Sequence, residues 1–210
     1  MILKKFEFND VLAANCYVYI DDTSLHGFII DPSAHAEELL KMIKNNDWII
    51  EKILLTHSHL DHIGAVLNVA DVLGINYYAL NTAAQYLSNP DFSTHFTDRN
   101  VLQNIKPLKD GDIISLTTNP NIALQVIATS GHTIDSVIYY DKANHIAFTG
   151  DTIFQSGIGR TDILGSGGNY SELLSNIKNK ILTLPENTIL YPGHGPNTTV
   201  KQEKISTDIY

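Results

Sequence analysis

With 210 residues, 43% of them hydrophobic and 18% charged, the chain has the length and composition of a globular protein that can bury a core without covalent staples. A formal charge of −9, with only Lys4 and Lys5 adjacent, argues against a nucleic-acid partner, which would need clustered cations facing phosphates. No apolar run approaches the ~18 residues of a membrane span, no signal peptide is legible in the first ten residues, and Cys16 has no cysteine to pair with, so we expect no membrane partner, a reducing compartment and a cytoplasmic address.

In chain order, Ile2–Phe8, Asn15–Ile20 and Gly27–Ile30 read as strands, with Asp21-Asp22 as turn material between the last two. Ala34–Asn45 carries apolar residues at helical spacing, with Ser33 as its N-cap and Asn45-Asn46-Asp47 as its stop. Trp48–Leu55 is a buried strand by its apolar, partly β-branched composition, and Thr56 to His62 follows directly at its carboxyl end. Ile63–Leu73 reads as a helix, Ile75–Leu80 as a strand and Thr82–Leu87 as a short helix. Ser88 to Lys109 is polar and weakly patterned.

The second half repeats the habit. Asp112–Leu116, Ile122–Ala128, Ser136–Asp141 and His145–Thr149 are strand candidates, followed by a helix at Tyr170–Lys180 and a strand at Thr188–Tyr191. Strands followed by helices in each half point to two sheets packed face to face with helices outside, an α/β four-layer αββα sandwich. No repeat, low-complexity tract or charge block marks a linker, so we expect a single domain over residues 1–210.

The chemistry concentrates in Thr56-His57-Ser58-His59-Leu60-Asp61-His62, where three imidazoles and a carboxylate fall within six residues. An extended backbone at His57 to His59 puts both rings on one side, and a turn at Leu60 sends Asp61 and His62 to a neighbouring position. Three more candidate ligands stand at the ends of predicted strands, each beside a glycine: His132, Asp151 and His194. Glycine lets backbone approach a crowded centre without a Cβ clash. Imidazole nitrogen and carboxylate oxygen suit zinc, and seven such groups suffice for two divalent ions, with iron or manganese as other occupants of the same donors. His26, His35, His95 and His145 lack this context and read as surface or core residues.

The run from His57 to His62 resembles the HxHxDH signature of the metallo-β-lactamase superfamily, and the later single ligands stand in that superfamily's order. The resemblance implies the metallo-β-lactamase type of αββα sandwich, with His57, His59 and His132 on one metal, Asp61, His62 and His194 on the other, and Asp151 bridging both. Gly150 to Phe154, Gly157 to Asp162 and Tyr191 to Pro196 resemble the short bacterial glyoxalase II-like branch. That branch implies a hydrolase acting on a small thioester such as hydroxyacylglutathione. Two ions ~3.5–4 Å apart would share a hydroxide, the nucleophile, at neutral pH. Asp61 would ligate one metal and could also orient the hydroxide or take its proton, which makes it the catalytic candidate.

A thiolate, with a parent pKa of ~8.5, departs without a strong general acid. Arg160 is a candidate clamp for a substrate carboxylate, with an ion pair to Asp162 as the structural alternative. Asp31, Thr133 and Ser136 are candidate partners for the metal-binding imidazoles. Two departures stand out. The longer glyoxalase II enzymes carry a helical C-terminal extension that holds glutathione; this sequence stops at Tyr210, so we expect that extension to be missing and glutathione recognition to differ. Asp135 stands where the usual Gly-His-Thr-x-Gly-Ser pattern has its second glycine. The same fold and the Gly-Arg-Thr-Asp segment also occur in persulfide dioxygenases, which use one iron on the equivalents of His57, His132 and Asp151; that is the alternative activity.

Overall fold

The computed structural model describes residues 1–7, 14–89, 91 and 97–206. Ile2–Phe6 (β1), Cys16–Ile20 (β2), His26–Ile30 (β3), Ile49–Leu54 (β4), Tyr77–Leu80 (β5) and Lys106–Leu108 (β6) form one sheet in that order, antiparallel from β1 to β3 and parallel from β3 to β6. A second sheet contains Ile113–Ser115 (β7), Ala123–Ala128 (β8), Val137–Asp141 (β9) and Ile146–Gly150 (β10) as successive antiparallel neighbours. The small hairpin Ile153–Phe154 (β11) and Gly157–Ile158 (β12) follows, and the sheet is completed by Ile189–Pro192 (β13), parallel to β10, and Thr198–Thr199 (β14).

Alternation along single strands decides the layers, because successive side chains of a strand point to opposite faces. Tyr17, Tyr19, Phe28, Ile30 and Leu54 of the first sheet meet Val126, Val137, Tyr139 and Phe148 of the second. Their sequence neighbours Val18, Ile20, Ile29 and Ile53 face the other way, onto Leu39 and Ile43 of helix Ala36–Asn45 (α1). Beyond Leu60–Ile63 (α2), the helix Val66–Leu73 (α3) adds Val66 and Val69 to that outer layer. Gln85–Ser88 (α4) overlaps the short helix expected over Thr82–Leu87, and Arg99–Asn104 (α5) lies in the polar stretch between the two halves. On the far side, Ile138, Tyr140, Ala147 and Leu190 pack on Leu173, Ile177 and Ile181, from Tyr170–Asn176 (α6) and the turn that continues it. The final helix is Val200–Ser206 (α7). Helix, sheet, sheet, helix is the expected α/β sandwich, and burial of each large apolar side chain contributes roughly 1.5–3 kcal/mol to it.

Several element boundaries differ from expectation for identifiable reasons. Ser33 is not the N-cap of α1: its hydroxyl donates to the Ala14 carbonyl at 2.8 Å, and the helix starts after His35, whose φ is 50°. The helix expected over Ile63–Leu73 breaks at Gly64 and Ala65, where a Cβ on Gly64 would overlap the Ser33 carbonyl. The helix expected over Tyr170–Lys180 changes to a π-type turn at Ile177–Ile181. Phe8, the expected end of the first strand, and His95 lie outside the described residues. Among the described residues no helix is long and apolar enough to cross a membrane.

Candidate metal centre

Strand direction gathers the candidate ligands. β8 and β10 are both antiparallel to β9, and β13 is parallel to β10, so the carboxyl ends of β8, β10 and β13 share one edge of the second sheet. His132, Asp151 and His194 follow those ends. From the first sheet, the chain leaving β4 crosses toward this edge, where the Thr56 carbonyl accepts from the Val137 amide at 2.8 Å. His57 to His62 follow, the last of them in the single turn α2.

All seven candidates converge in three overlapping trios, His57/His59/His132, His57/His62/Asp151 and Asp61/His62/His194. His59 Nδ1 lies 3.1 Å from His57 Nε2 and 3.2 Å from His132 Nε2. His194 Nε2 lies 3.1 Å from Asp61 Oδ2, and His62 Nε2 lies 3.8 Å from the same oxygen. Asp151 stands between the groups: Oδ1 is 3.3 Å from His62 Nε2, and Oδ2 is 3.7 Å from His132 Nε2 and 3.6 Å from His194 Nε2. His62 Nε2 and Asp151 Oδ1 are fully buried and make no hydrogen bond. Orphaned buried polar atoms facing each other are costly unless something occupies the space between them. Nitrogen-rich trios with a shared carboxylate fit divalent cations, and the described residues therefore fit such ions.

The remaining ring nitrogens are tied from outside, which decides which nitrogen faces the centre. Asp31 Oδ2 accepts from His62 Nδ1 at 2.9 Å and from the Thr56 hydroxyl at 2.6 Å. With its single hydrogen spent on Asp31, Thr56 Oγ1 must accept from His57 Nδ1 at 3.1 Å. His132 Nδ1 donates to the Arg160 carbonyl at 2.6 Å. His59 is reversed: Nε2 meets Ser166 Oγ at 3.0 Å, leaving Nδ1 inward. The His194 loop is held by Asn15, whose amide nitrogen Nδ2 donates to the carbonyls of Pro192 at 2.9 Å and Gly195 at 3.0 Å. Tyr17 adds a hydroxyl to Pro192 and Lys5 an ammonium to Gly195.

Electrostatics agree with this tautomer assignment at His57 and His59. Burial, reinforced by His62, holds His57 well below the usual imidazole range, and burial with His132 brings His59 down to about 3. Both rings therefore keep a lone pair at neutral pH. Burial disfavours charge on Asp151, but His62 beside it more than offsets this and keeps the carboxyl far below its usual range. The reverse holds for His62, which burial would neutralise but which Asp151 and Asp31 raise well above its ordinary value. The hydrogen bond that His194 Nε2 donates to Asp61 raises His194. A cation entering at His62 and His194 displaces protons.

Thr133 and Ser136 do not touch the imidazoles as expected; they bond to each other at 2.7 Å, and Thr133 also bonds to Asp135. Arg160 and Asp162 form a bidentate pair at 2.7 and 3.0 Å, with both side chains mostly exposed. The Arg160 carbonyl, not its guanidinium, is what holds a ligand here. His26 pairs with Glu51 at 2.9 Å and His35 sits 3.6 Å from Glu38, both away from the centre. Thr56, Asn15 and Ser166 are the contributors that sequence reading missed. Only Asn15, a polar residue opening an apolar strand, carried any signal.

Known proteins resemble this chain along most of its length. The model of the metallo-β-lactamase superfamily matches residues 9–194. Hydroxyacylglutathione hydrolase GloC of Haemophilus influenzae is 34% identical over 197 residues, covering 91% of this chain and 90% of that protein. Probable metallo-hydrolase YqgX of Bacillus subtilis is 37% identical over 196 residues, covering 92% and 90%. Among solved structures, BLEG-1 B3 metallo-β-lactamase superposes with a TM-score of 0.82 at 36% identity, covering 97% of each chain. With ligand order, strand topology and these likenesses in agreement, the chain belongs to the metallo-β-lactamase superfamily, a family of metallo-hydrolases.

Proposed function

We propose that this protein is a binuclear metal-dependent hydrolase that cleaves a small thioester of the hydroxyacylglutathione type in the cytoplasm. The observation that carries the reading is the pair of trios, His57/His59/His132 and Asp61/His62/His194, on either side of the Asp151 carboxylate. A single-iron centre, as in a persulfide dioxygenase, would leave the second trio without a purpose. Zinc is the proposed ion. When bound, such ions supply Lewis acidity and bring the pKa of water to ~7.

The chain's own groups do the rest. His57, His59, His62, His132 and His194 each present one nitrogen to the centre; in the first four the other nitrogen is fixed by a named partner, and for His194 the loop that carries the ring is fixed by Asn15. Asp61, with its side chain 27% exposed against 11% for Asp151, is the more accessible of the two carboxylates, and its role is to orient a water or accept its proton. No further acid lies in the described centre, which suits a thiolate leaving group that departs unprotonated. Arg160 would have to leave Asp162 to grip a substrate carboxylate; the bidentate geometry it already makes is the kind a substrate carboxylate would take over.

Likeness to BLEG-1 favours one second reading, hydrolysis of a β-lactam amide. An amine leaving group needs a proton that a thiolate does not, so the same centre would act on it more slowly. Elemental analysis of protein purified without added metal, with assays on lactoylglutathione and a chromogenic cephalosporin, tests the reading. Two ions per chain with faster thioester cleavage supports it. One iron per chain without thioester cleavage, or faster cephalosporin turnover, overturns it.

A further inference from the structure

Asp135 is completely buried, yet its hydrogen-bonding partners among the described residues are neutral. The Ser58 hydroxyl donates to Oδ2, and the Thr133 hydroxyl donates to Oδ1 at 2.7 Å. Because the single hydrogen of Thr133 is spent on Asp135, Ser136 must donate to Thr133, at 2.7 Å, while its own oxygen accepts the Thr133 amide at 3.1 Å. The result is a directed chain of hydroxyls ending on one carboxylate. Ser58 stands between His57 and His59, and Thr133 follows His132, so this carboxylate joins the two segments that supply the whole first trio.

A buried carboxylate with only neutral donors is costly, and a nearby positive charge relieves that cost. No lysine or arginine of the described residues bonds to it. The nearest concentration of cation-binding groups is the trio itself, one residue away along each segment. Attraction through a low-dielectric interior acts equally on both partners: a cation at the trio stabilises Asp135, and Asp135 stabilises the cation.

We propose that Asp135 is a positioning residue for the metal centre, tying the His57-to-His59 segment to the His132 loop and placing a negative charge behind the first trio that tightens metal binding. This rests on the binuclear reading above. The test compares wild type, Asp135→Asn, Asp135→Gly and Ser58→Ala, using zinc release to a chromogenic chelator, the visible spectrum of the cobalt-substituted protein, and the melting temperature of the metal-free forms. Asp135→Asn keeps shape and removes charge; Asp135→Gly removes both; Ser58→Ala keeps charge and removes one tie. Loss of a tuning partner around metal ligands weakens binding about 10–100-fold, and we expect the low end, about tenfold, for Asp135→Asn. Ser58→Ala should shift the cobalt bands with a smaller loss of affinity. Asp135 variants that fold and hold zinc as tightly as wild type overturn the proposal. If neither folds, Ser58→Ala decides, and wild-type affinity with a wild-type spectrum overturns it. Wild type that takes up no metal sinks the binuclear reading itself, which is a distinguishable failure.

Discussion

Replacing Asn15 tests whether the last ligand loop is held from the first sheet. The side chain is nearly buried, and its amide group donates to the carbonyls of Pro192 and Gly195, which flank Gly193 and His194. In Asn15→Ala both bonds are lost, but neither carbonyl is orphaned, because Tyr17 still donates to Pro192 and Lys5 to Gly195, each at 2.6 Å. The stability loss is therefore that of two ordinary hydrogen bonds, about 2 kcal/mol in total, without the larger penalty for unsatisfied groups. For a chain of this size that corresponds to a fall of about 4–8 °C in melting temperature. The effect on function is larger than the effect on stability, since the His194 side chain is 41% exposed and depends on its loop for placement. We expect one of two ions to be lost or weakened and turnover to fall about 10–100-fold. Asn15→Asp is the sharper variant. It keeps the shape but faces two carbonyl oxygens with an acceptor, so it must be worse than alanine in both melting temperature and metal content. Calorimetry and elemental analysis on the three proteins would refute the reasoning if the aspartate variant matched wild type or outperformed alanine.

Other substitutions probe the centre from different sides. A Cβ on Gly193 would overlap Asp151 Oδ1 and lie 2.5 Å from His62 Cε1, so Gly193→Ala should abolish bound metal at the shared carboxylate and reduce turnover more than 100-fold, a figure set on the order of a lost ligand; full metal content in this variant would count against the assigned centre. Asp31→Ala leaves the Thr56 amide, the Thr56 hydroxyl and His62 Nδ1 without their buried acceptor, which should destabilise the protein by roughly 3 kcal/mol or more, measured by urea unfolding. Glu51 gives a pH test away from the metal. Burial alone would raise its carboxyl, but hydrogen bonds from Thr118 and Thr117 outweigh burial and lower it from 4.5 to about 2. A lowered carboxyl contributes stability that is fully present above 4.5 and disappears as pH falls toward 2. The urea midpoint of wild type should therefore exceed that of Glu51→Gln at neutral pH and converge with it in acid; a constant gap across that range would sink the linkage.

What could be read from the sequence was set by how local each determinant is. The layering was legible because strands are followed by helices in each half, and near-continuous apolar strands such as Cys16–Ile20 and Val137–Asp141 are covered on both faces. The candidate ligands that converge in the fold were legible because imidazole and carboxylate are chemically specific and four of them fall within one short run. Capping was not: Ser33 has the right residue type, but tertiary contact with Ala14 claims its hydroxyl, and no local pattern could show that. The helix α5 and strand β6 were missed because the stretch that contains them has little apolar periodicity, and β6 takes its place by pairing with β5.

The groups that orient the ligands were the least legible, for a reason that bears on how the centre works. A backbone carbonyl belongs to every residue, so nothing in the Arg160 side chain announces that its main chain holds His132. Asp31 reaches His62 across 31 positions, Ser166 reaches His59 across 107, and Asn15 reaches Pro192 across 177. The inward-facing nitrogens of His59, His62 and His132 are thus selected by partners that the packed sandwich delivers, whereas His57 is set by Thr56 beside it in the chain. Ligand identity lies in the motif, whereas ligand orientation lies in the packing of the two sheets. A short peptide spanning His57 to His62 has the donors but not Asp31, Ser166 or the Asp151 carboxylate, so we expect metal affinity and tertiary stability to rise and fall together.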